Sequence, residues 1–468
     1  MTLSIRQIAP ESKACHDLGP DALATVIPRA LILDALTSTG TLNKEKRERK
    51  LNLCSTVQLL IAQALFAEQS MTSLLHTLNY GRGLLSAEEP EAVATASAVS
   101  YRRRQLGVAP LQALMRTVCQ PLATPQTPGA YRFGFRLMAL DSTIESVPDS
   151  DANAMTFGRL KGRQGQSAFP QVRGTYLLEC GTHAPIDAYF TPCRPSERHS
   201  AKVLLRSLRP DMLLLWDTGF HEYAYYQLVK VCGAQSLGRV PAGPSPQKIK
   251  RLSDGSWLIH LAPSDGKRKR AGEHLVLRMI EYTFTDPKLP GFQQTHRLIT
   301  SLLDPQLAPA LDLVCTYHER WEIEIAIDEI DTHQRLLAGT LRSKTPQGVM
   351  QELTATLIGY YGVRALMLQA AEHQEVDVDR LSFVHALRIL QTAITTSQVL
   401  AAESLPQQGE YLLRQLAAVR LPERHLRINA RVVRRKYSPF ALKHPEHLHP
   451  STFPKQQTFR EVILVLVT

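Results

Sequence analysis

Two short apolar runs, each followed directly by an aspartate, most constrain the fold of this chain. Phe135-Arg-Leu-Met-Ala-Leu140 leads into Asp141, Ser142 and Thr143, and Met212-Leu-Leu-Leu-Trp216 leads into Asp217, Thr218, Gly219 and Phe220. Short apolar runs bounded by turn-type residues predict buried strands of a mixed or parallel sheet. An aspartate at the end of such a strand serves either as a turn cap or as a ligand held at the end of the sheet.

A third segment, Tyr317-His-Glu-Arg320-Trp321-Glu-Ile-Glu324, sets an aromatic, a guanidinium and a carboxylate at i, i+3 and i+7. At 3.6 residues per turn these fall on one helix stripe. Packing alone does not explain a polar stripe where a globular helix carries its apolar face. Arg pairs with phosphate oxygens, Tyr donates a further hydrogen bond, and Glu is a hard oxygen ligand for Mg²⁺. The bland alternative is an Arg320–Glu324 pair at i, i+4, worth about 0.2–0.5 kcal/mol of helix stability. Two aspartates at strand ends joined by a helical Glu are the parts of a two-metal phosphoryl-transfer site.

In chain order, Asp-Ser-Thr at 141–143, Asp-x-Gly-Phe at 217–220 and Tyr-x2-Arg-x3-Glu at 317–324 resemble the bacterial cut-and-paste DDE transposases of the insertion-sequence-4 type. The separations, 76 residues from Asp141 to Asp217 and 107 from Asp217 to Glu324, fit that family. The stretches Ser100-Tyr-Arg-Arg-Arg-Gln-Leu-Gly107 and Leu341-Arg-Ser-Lys-Thr-Pro346 are similar as well, and the likeness covers roughly residues 20–400.

The resemblance implies an α/β multidomain protein, with a ribonuclease-H-like catalytic core interrupted by a β-rich insertion. It implies a DNA transposase that hydrolyses phosphodiesters at element ends and joins the freed 3′-hydroxyls to target DNA. Asp141, Asp217 and Glu324 would be the catalytic residues and the ligands of two Mg²⁺ ions, with Mn²⁺ able to substitute and Asp141 bridging. Tyr317 and Arg320 would grip a DNA phosphate. Trp257 and Trp321 are candidates for stacking on an extruded base, with core packing the competing role for Trp321. In many relatives a Lys lies seven residues after the Glu; here that position is Asp331. Asp328 and Asp331 share the Glu324 face and are expected to be solvated helix positions. The implied partners are double-stranded DNA (terminal inverted repeats and target) and a second copy of the chain in a synaptic complex. The alternatives are a catalytically inactive, transposase-derived DNA-binding protein and another ribonuclease-H-like DNA nuclease.

Charge agrees with a polyanionic partner. The 468 residues carry a net charge of +11, and a large protein with that excess usually meets nucleic acid or another polyanion. Residues 411–468 hold 11 Lys/Arg against 3 Asp/Glu. Arg431-Val-Val-Arg-Arg-Lys-Tyr437, Lys44-Glu-Lys-Arg-Glu-Arg-Lys50, Arg102–Arg104 and Lys267–Arg270 are basic clusters suited to a DNA backbone. Each alone would pass for a solvated face. Seven scattered cysteines without a Cys-x-x-Cys pair argue for a reducing cytoplasm, as expected of a nucleoid-associated protein, and against zinc fingers. No signal peptide and no membrane span is expected; Val462–Val467 is too short to cross a bilayer and predicts a docked final strand. His444, His447 and His449 stand in a Pro-punctuated stretch and predict a surface loop rather than a metal site.

This length calls for three or four domains. Residues 1–125 have helical apolar spacing at Ala22–Leu36, Leu53–Phe66, Ser70–Leu78, Ala92–Leu106 and Leu111–Val118, suiting a DNA-binding domain. Residues 130–375 form the expected catalytic domain. Its strands fall at Arg136–Asp141, Thr175–Glu179, Ile186–Phe190 and Met212–Asp217, with helices at Glu197–Leu208 and from Tyr223. Residues 236–295 alternate short strands with Gly, Pro and Ser turns and read as the insertion. Gln351–Gln369 carries a strong apolar stripe, and residues 376–468 form a helical, basic C-terminal region.

Overall fold

The computed structural model describes residues 21–46, 51–85, 93–162, 165–194, 197–241, 243, 246–286, 292–335, 341–397, 405–422 and 459–466. The runs Arg47–Lys50 and Arg431–Tyr437, and His444, His447 and His449, lie outside these residues.

The described residues before 120 are mainly helical: α1 (Asp21–Val26), α2 (Arg29–Ser38), α3 (Leu53–Leu65), α4 (Met71–Leu85), α5 (Ala96–Leu106) and α6 (Ala109–Val118). The apolar spacing of Ala22–Leu36 predicts one helix. The chain makes two, because Pro28 fixes its own backbone and becomes the residue before α2. Asn52 caps α3 by accepting the Ser55 N–H at 2.7 Å, and Thr95 caps α5 by accepting the Ala98 N–H at 3.3 Å.

A mixed α/β region follows. Its elements are β1 (Tyr131–Arg132), β2 (Phe135–Ser146), α7 (Asp151–Phe157), β3 (Lys161–Gly162), β4 (Gly165–Gln166), β5 (Gln171–Glu179), β6 (Pro185–Pro192) and α8 (Glu197–Leu204). After these come β7 (Met212–Trp216), α9 (Tyr223–Val231), β8 (Gln235–Arg239), β9 (Gln247–Arg251), β10 (Trp257–Leu261), α10 (Gly266–Arg270), β11 (Leu275–Phe284) and β12 (His296–Thr300). The chain ends with α11 (Ala310–His318), α12 (Trp321–Asp328), a π-helical turn Glu329–Gln334, α13 (Pro346–His373), α14 (Phe383–Ser397), α15 (Leu405–Leu416) and β13 (Ile463–Val465). No helix among the described residues is long and apolar enough to cross a membrane.

The chain divides into two compact units. Unit 1 comprises residues 1–130, 141–204 and 322–421; unit 2 comprises 131–140, 205–321 and 422–468. The division falls inside β2, between Leu140 and Asp141.

Unit 2 is built on a sheet in the order β2-β7-β8-β12-β11-β10-β9, with β1 on β2 and β13 on β11. The pairs β2–β7 and β7–β8 are parallel and the others antiparallel. Every residue of β7 is buried, as an all-apolar parallel strand requires. Trp216 stacks edge-on against Tyr225 and Tyr226 at 5.4 and 5.0 Å. Beside it Gly238 must stay bare, since a Cβ there would lie 2.1 Å from the Trp216 Nε1.

Unit 1 has α13 at its centre. This helix is buried on every side rather than along one stripe, as expected of a helix that packs against α3, α6, α14 and α15. A smaller cluster of Val147, Phe157, Val172, Leu341, Val349 and Leu353 closes the unit near the antiparallel pair β5–β6.

Candidate active site

The two aspartates follow paired strands. In unit 2, β2 and β7 run parallel with Arg136 opposite Met212 and Ala139 opposite Leu215. Asp141 and Asp217 are each two residues further along the same two chain segments. Asp217 ends β7 and caps the turn Thr218–Phe220, its Oδ1 accepting the Gly219 N–H at 2.8 Å. The Asp141 Oδ1 accepts the Ser142 N–H at 2.8 Å. The strand expected to stop at Asp141 continues to Ser146, so Asp141, Thr143 and Glu145 share one face of β2.

Within unit 2, Tyr317 and Arg320 form a buried cationic corner. The expected stripe through Tyr317, Arg320 and Glu324 is not one helix. The last turn of α11 tightens through Glu319 N–H to Thr316 O (3.0 Å) and Arg320 N–H to Tyr317 O (3.2 Å), and a new helix starts at Trp321. Arg320 is 6% exposed, and its guanidinium carbon lies 5.9 Å from the Tyr317 ring and 5.2 Å from the Trp321 ring. Burial raises the Tyr317 hydroxyl above its ordinary value; Arg320 and Arg239 oppose this and Asp217 adds to it. A phenol so held remains a donor. Burial, helped by Arg320, Arg239 and His296, drives the His318 imidazole down to about 3, so that the guanidiniums dominate the local field. Arg239, exposed at the end of β8, donates toward His296 Nδ1 at 3.2 Å.

Within unit 1, Glu324 lies in the first turn of α12, where a carboxylate suits the helix dipole. Asp328 closes α12, Asp331 lies in the π-helical turn that follows, and Arg335 comes just after it. Arg335 bridges Glu145 on β2 (2.7 Å) and Asp331 (3.0 Å). Burial and Glu145 push Asp331 up to about 8 against the pull of Arg335. Asp328 is largely exposed, but Asp331 is not the solvated position expected of it. It lines a cavity of about 660 Å³ with Gln63, Glu145, Arg335, Arg342 and Glu352. Leu341 N–H also bonds Ser146 O at 3.1 Å, so the chain after α12 runs along the second half of β2. Next to Asp141, the Ser142 hydroxyl donates to Glu197 at 2.8 Å, and Arg173 lies 3.6 Å from the same carboxylate.

Residues 20–116 match the family model of the insertion element 4 transposase N-terminal region, and residues 132–361 match that of the transposase DDE domain. The chain belongs to the insertion-sequence-4 family of DDE transposases. It is thus a DNA transposase, an enzyme that cleaves DNA and transfers strands. It is 27% identical over 425 residues to the transposase InsG for insertion sequence element IS4 of Escherichia coli (strain K12), covering 89% of this chain and 92% of that protein. It is 29% identical over 132 residues to the putative transposase InsZ of the same organism, over 27% of this chain and 42% of that one. A cryo-EM structure of a piggyBac transposase synaptic complex with hairpin DNA matches with a TM-score of 0.43 and 13% identity, over 86% of this chain and 87% of that one.

The two candidate stacking tryptophans of the transposase differ. Trp257, half-buried on β10, has the Lys248 ammonium 4.7 Å over its ring and a buried Nε1 with no acceptor among the described residues. Trp321 is 41% exposed, not packed in the core, because it opens α12 beyond the break. Sequence reasoning overlooked Arg239 and Glu145. A charged residue closing the strand after β7, and the period-2 phase Asp141–Thr143–Glu145, were the available signals. Among the described residues, His183, Glu322 and Asp379 also offer ligand atoms within 4.8 Å of one another. His183 Nε2 already stands 2.6 Å from Glu322, however, and the Arg364 guanidinium supplies a cation beside them.

Proposed function

We propose that Asp141, Asp217 and Glu324 form the catalytic centre of the transposase on a ribonuclease-H-like core. The observation that most supports this is the parallel β2–β7 register, from which both aspartates emerge two residues beyond the Ala139–Leu215 pair. The Arg335–Glu145 contact lends support for Glu324, since it ties the helical segment after Glu324 to the same strand that carries Asp141. The fit to divalent ions is chemical: three partly exposed carboxylates, all hard oxygen donors, suit two Mg²⁺ ions with Mn²⁺ able to substitute. Bound there, the ions would make water or a DNA 3′-hydroxyl nucleophilic and relieve charge on the departing oxygen.

The chain's own residues would orient the phosphate. Arg320, buried and stacked beside Tyr317, presents a fixed fork to phosphate oxygens. The raised Tyr317 hydroxyl donates a further bond, and Arg239 adds charge at the rim. Asp217 is held in one rotamer by the Gly219 N–H, which limits the reorganisation needed at the reacting centre. Trp257 and Trp321 are the candidates for stacking on an extruded base.

The same reading assigns residues 1–125 to binding of the terminal inverted repeats and 130–375 to catalysis, with an insertion at about 236–295. It assigns 376–468 to further DNA or protomer contacts. It places the enzyme as a homodimer holding two ends, in the bacterial cytoplasm at the nucleoid. The test is the set Asp141→Asn, Asp217→Asn and Glu324→Gln, assayed on duplexes carrying the element ends that flank this reading frame. Each should lower cleavage by roughly 10³-fold or more while end binding stays within about 3-fold. Cleavage near the wild-type rate by any one of them would remove that residue from the site.

A further inference from the structure

We infer that a buried ion network centred on His183 is the positioning device for Glu324, holding α12 in the rotation that the site needs. This rests on the catalytic role proposed for Glu324. All members of the network lie in unit 1.

His183 sits in the tight turn between β5 and β6 with its side chain fully buried. Its Nε2 is 2.6 Å from Glu322 and 3.7 Å from Asp379, and its Nδ1 is 3.5 Å from Glu329. Two residues of α13 close the network. Arg364 Nη1 lies 3.5 Å from Glu329, and the Tyr360 hydroxyl donates to Glu329 at 2.6 Å. Arg364 Nε also donates to Thr182 O at 2.7 Å, tying α13 to the same turn. Burial works against charge on Glu329, yet Arg364, His183 and Tyr360 hold it down to about 2. His183 itself has φ +57, a conformation uncommon for a residue with a side chain and kept where surroundings over-determine it.

Helix geometry turns this network into a rotational lock. At about 100° per residue, Glu322, Ala326 and Glu329 fall on one stripe, and Glu324 lies roughly 200° from Glu322, on the far side. Ala326 is fully buried and has no side chain beyond Cβ, which lets that stripe approach closely. Further along, Arg335 bonds Asp331 and meets Glu145 on β2. The segment is therefore held at two places. Glu322 and Glu329 fix the face that Glu324 must turn away from. The π turn starts at Glu329, so the anchor falls where the helix is least regular and most in need of one.

The experiment uses the full chain with four variants: Glu322→Leu, Glu322→Gln, Tyr360→Phe and, as control, Glu324→Gln. Two readouts are taken, hydrogen exchange across residues 321–335 in metal-free protein and cleavage of the end duplexes in Mg²⁺. Glu322→Leu should speed exchange in that segment about 10-fold and slow cleavage roughly 10–100-fold, with end-duplex affinity unchanged. Glu322→Gln, which keeps an acceptor for His183, should restore both to within about 3-fold. Tyr360→Phe removes one bond to Glu329 and should slow cleavage roughly 3–10-fold; it carries the test if Glu322→Leu fails to fold. Wild-type exchange and cleavage in Glu322→Leu and Tyr360→Phe, or no rescue by Gln, would overturn the positioning role. If Glu324→Gln cleaves normally, the catalytic reading fails instead. If Glu324→Gln is inactive while Glu322→Leu is unaffected, only the positioning role fails.

Discussion

Arg335 joins Glu145 at 2.7 Å, tying the helical segment after Glu324 to the strand that carries Asp141. The same guanidinium reaches Asp331 at 3.0 Å, so one cation serves two carboxyl groups. Two such groups cannot both ionise cheaply beside a single cation. Asp331 is raised to about 8 and keeps its proton at neutral pH.

Asp331 therefore makes stability pH-dependent. Its folded-state value lies above its ordinary one, so its favourable contribution is complete below about pH 4 and is lost as pH rises through about 8. Asp331→Asn should leave the urea midpoint near pH 4 unchanged and stabilise the protein by about 1–2 kcal/mol at pH 8.5. An equal effect at both pH values would show that Asp331 is not proton-linked.

Arg278 is a second buried charge with a structural task. Fully buried on β11, it pairs with Asp254 and donates to the Ser256 hydroxyl at 2.8 Å and to Ala308 O at 2.7 Å, just before α11. Arg278→Ala strands Asp254 and several carbonyls, and should cost about 3–5 kcal/mol in denaturant unfolding. Arg278→Lys should recover only part of this, because an ammonium cannot supply the same fork.

Gly238 tests the packing behind Asp217. A methyl group there would collide with the Trp216 indole, which is fully buried. Gly238→Ala should lower stability by about 1–3 kcal/mol, seen as a reduced thermal midpoint. It should also slow end cleavage more than end binding, since Trp216 precedes Asp217.

Arg239 offers an electrostatic test. Arg239→Ala should weaken binding to end and unrelated duplexes alike, and reduce the slope of log K against log salt by about one. A loss confined to one DNA sequence would instead mean that Arg239 reads bases.

How much was legible in the chain depended on range. Met212–Trp216 announced a buried parallel strand because every residue is apolar and every residue is buried. The helical spacing before residue 120 was equally local, though its boundaries were misread at Pro28, at the start of α5, which is Ala96 rather than Ala92, and at the end of α4, which runs to Leu85 rather than Leu78. The break at Glu319–Arg320 was not legible, since each residue from Tyr317 to Glu324 tolerates a helix. Asp331 looked solvated for a similar reason: its partner Glu145 is remote in sequence and is brought near only by tertiary packing. His183 carried no signal at all, because a lone histidine in a turn says nothing of three carboxylates contributed by later segments. For the site, spacing and residue type singled out Asp141, Asp217 and Glu324 as candidates, while the β2–β7 register that supports the two aspartates is a long-range pairing.

The most direct test of the central claim is to locate Mn²⁺ by anomalous scattering in crystals of the protein bound to its end duplexes. The account predicts two peaks roughly 3.5–4 Å apart, contacted by Asp141, Asp217 and Glu324, and none beside His183. A metal held by His183, Glu322 and Asp379, with the three proposed ligands bare, would contradict it.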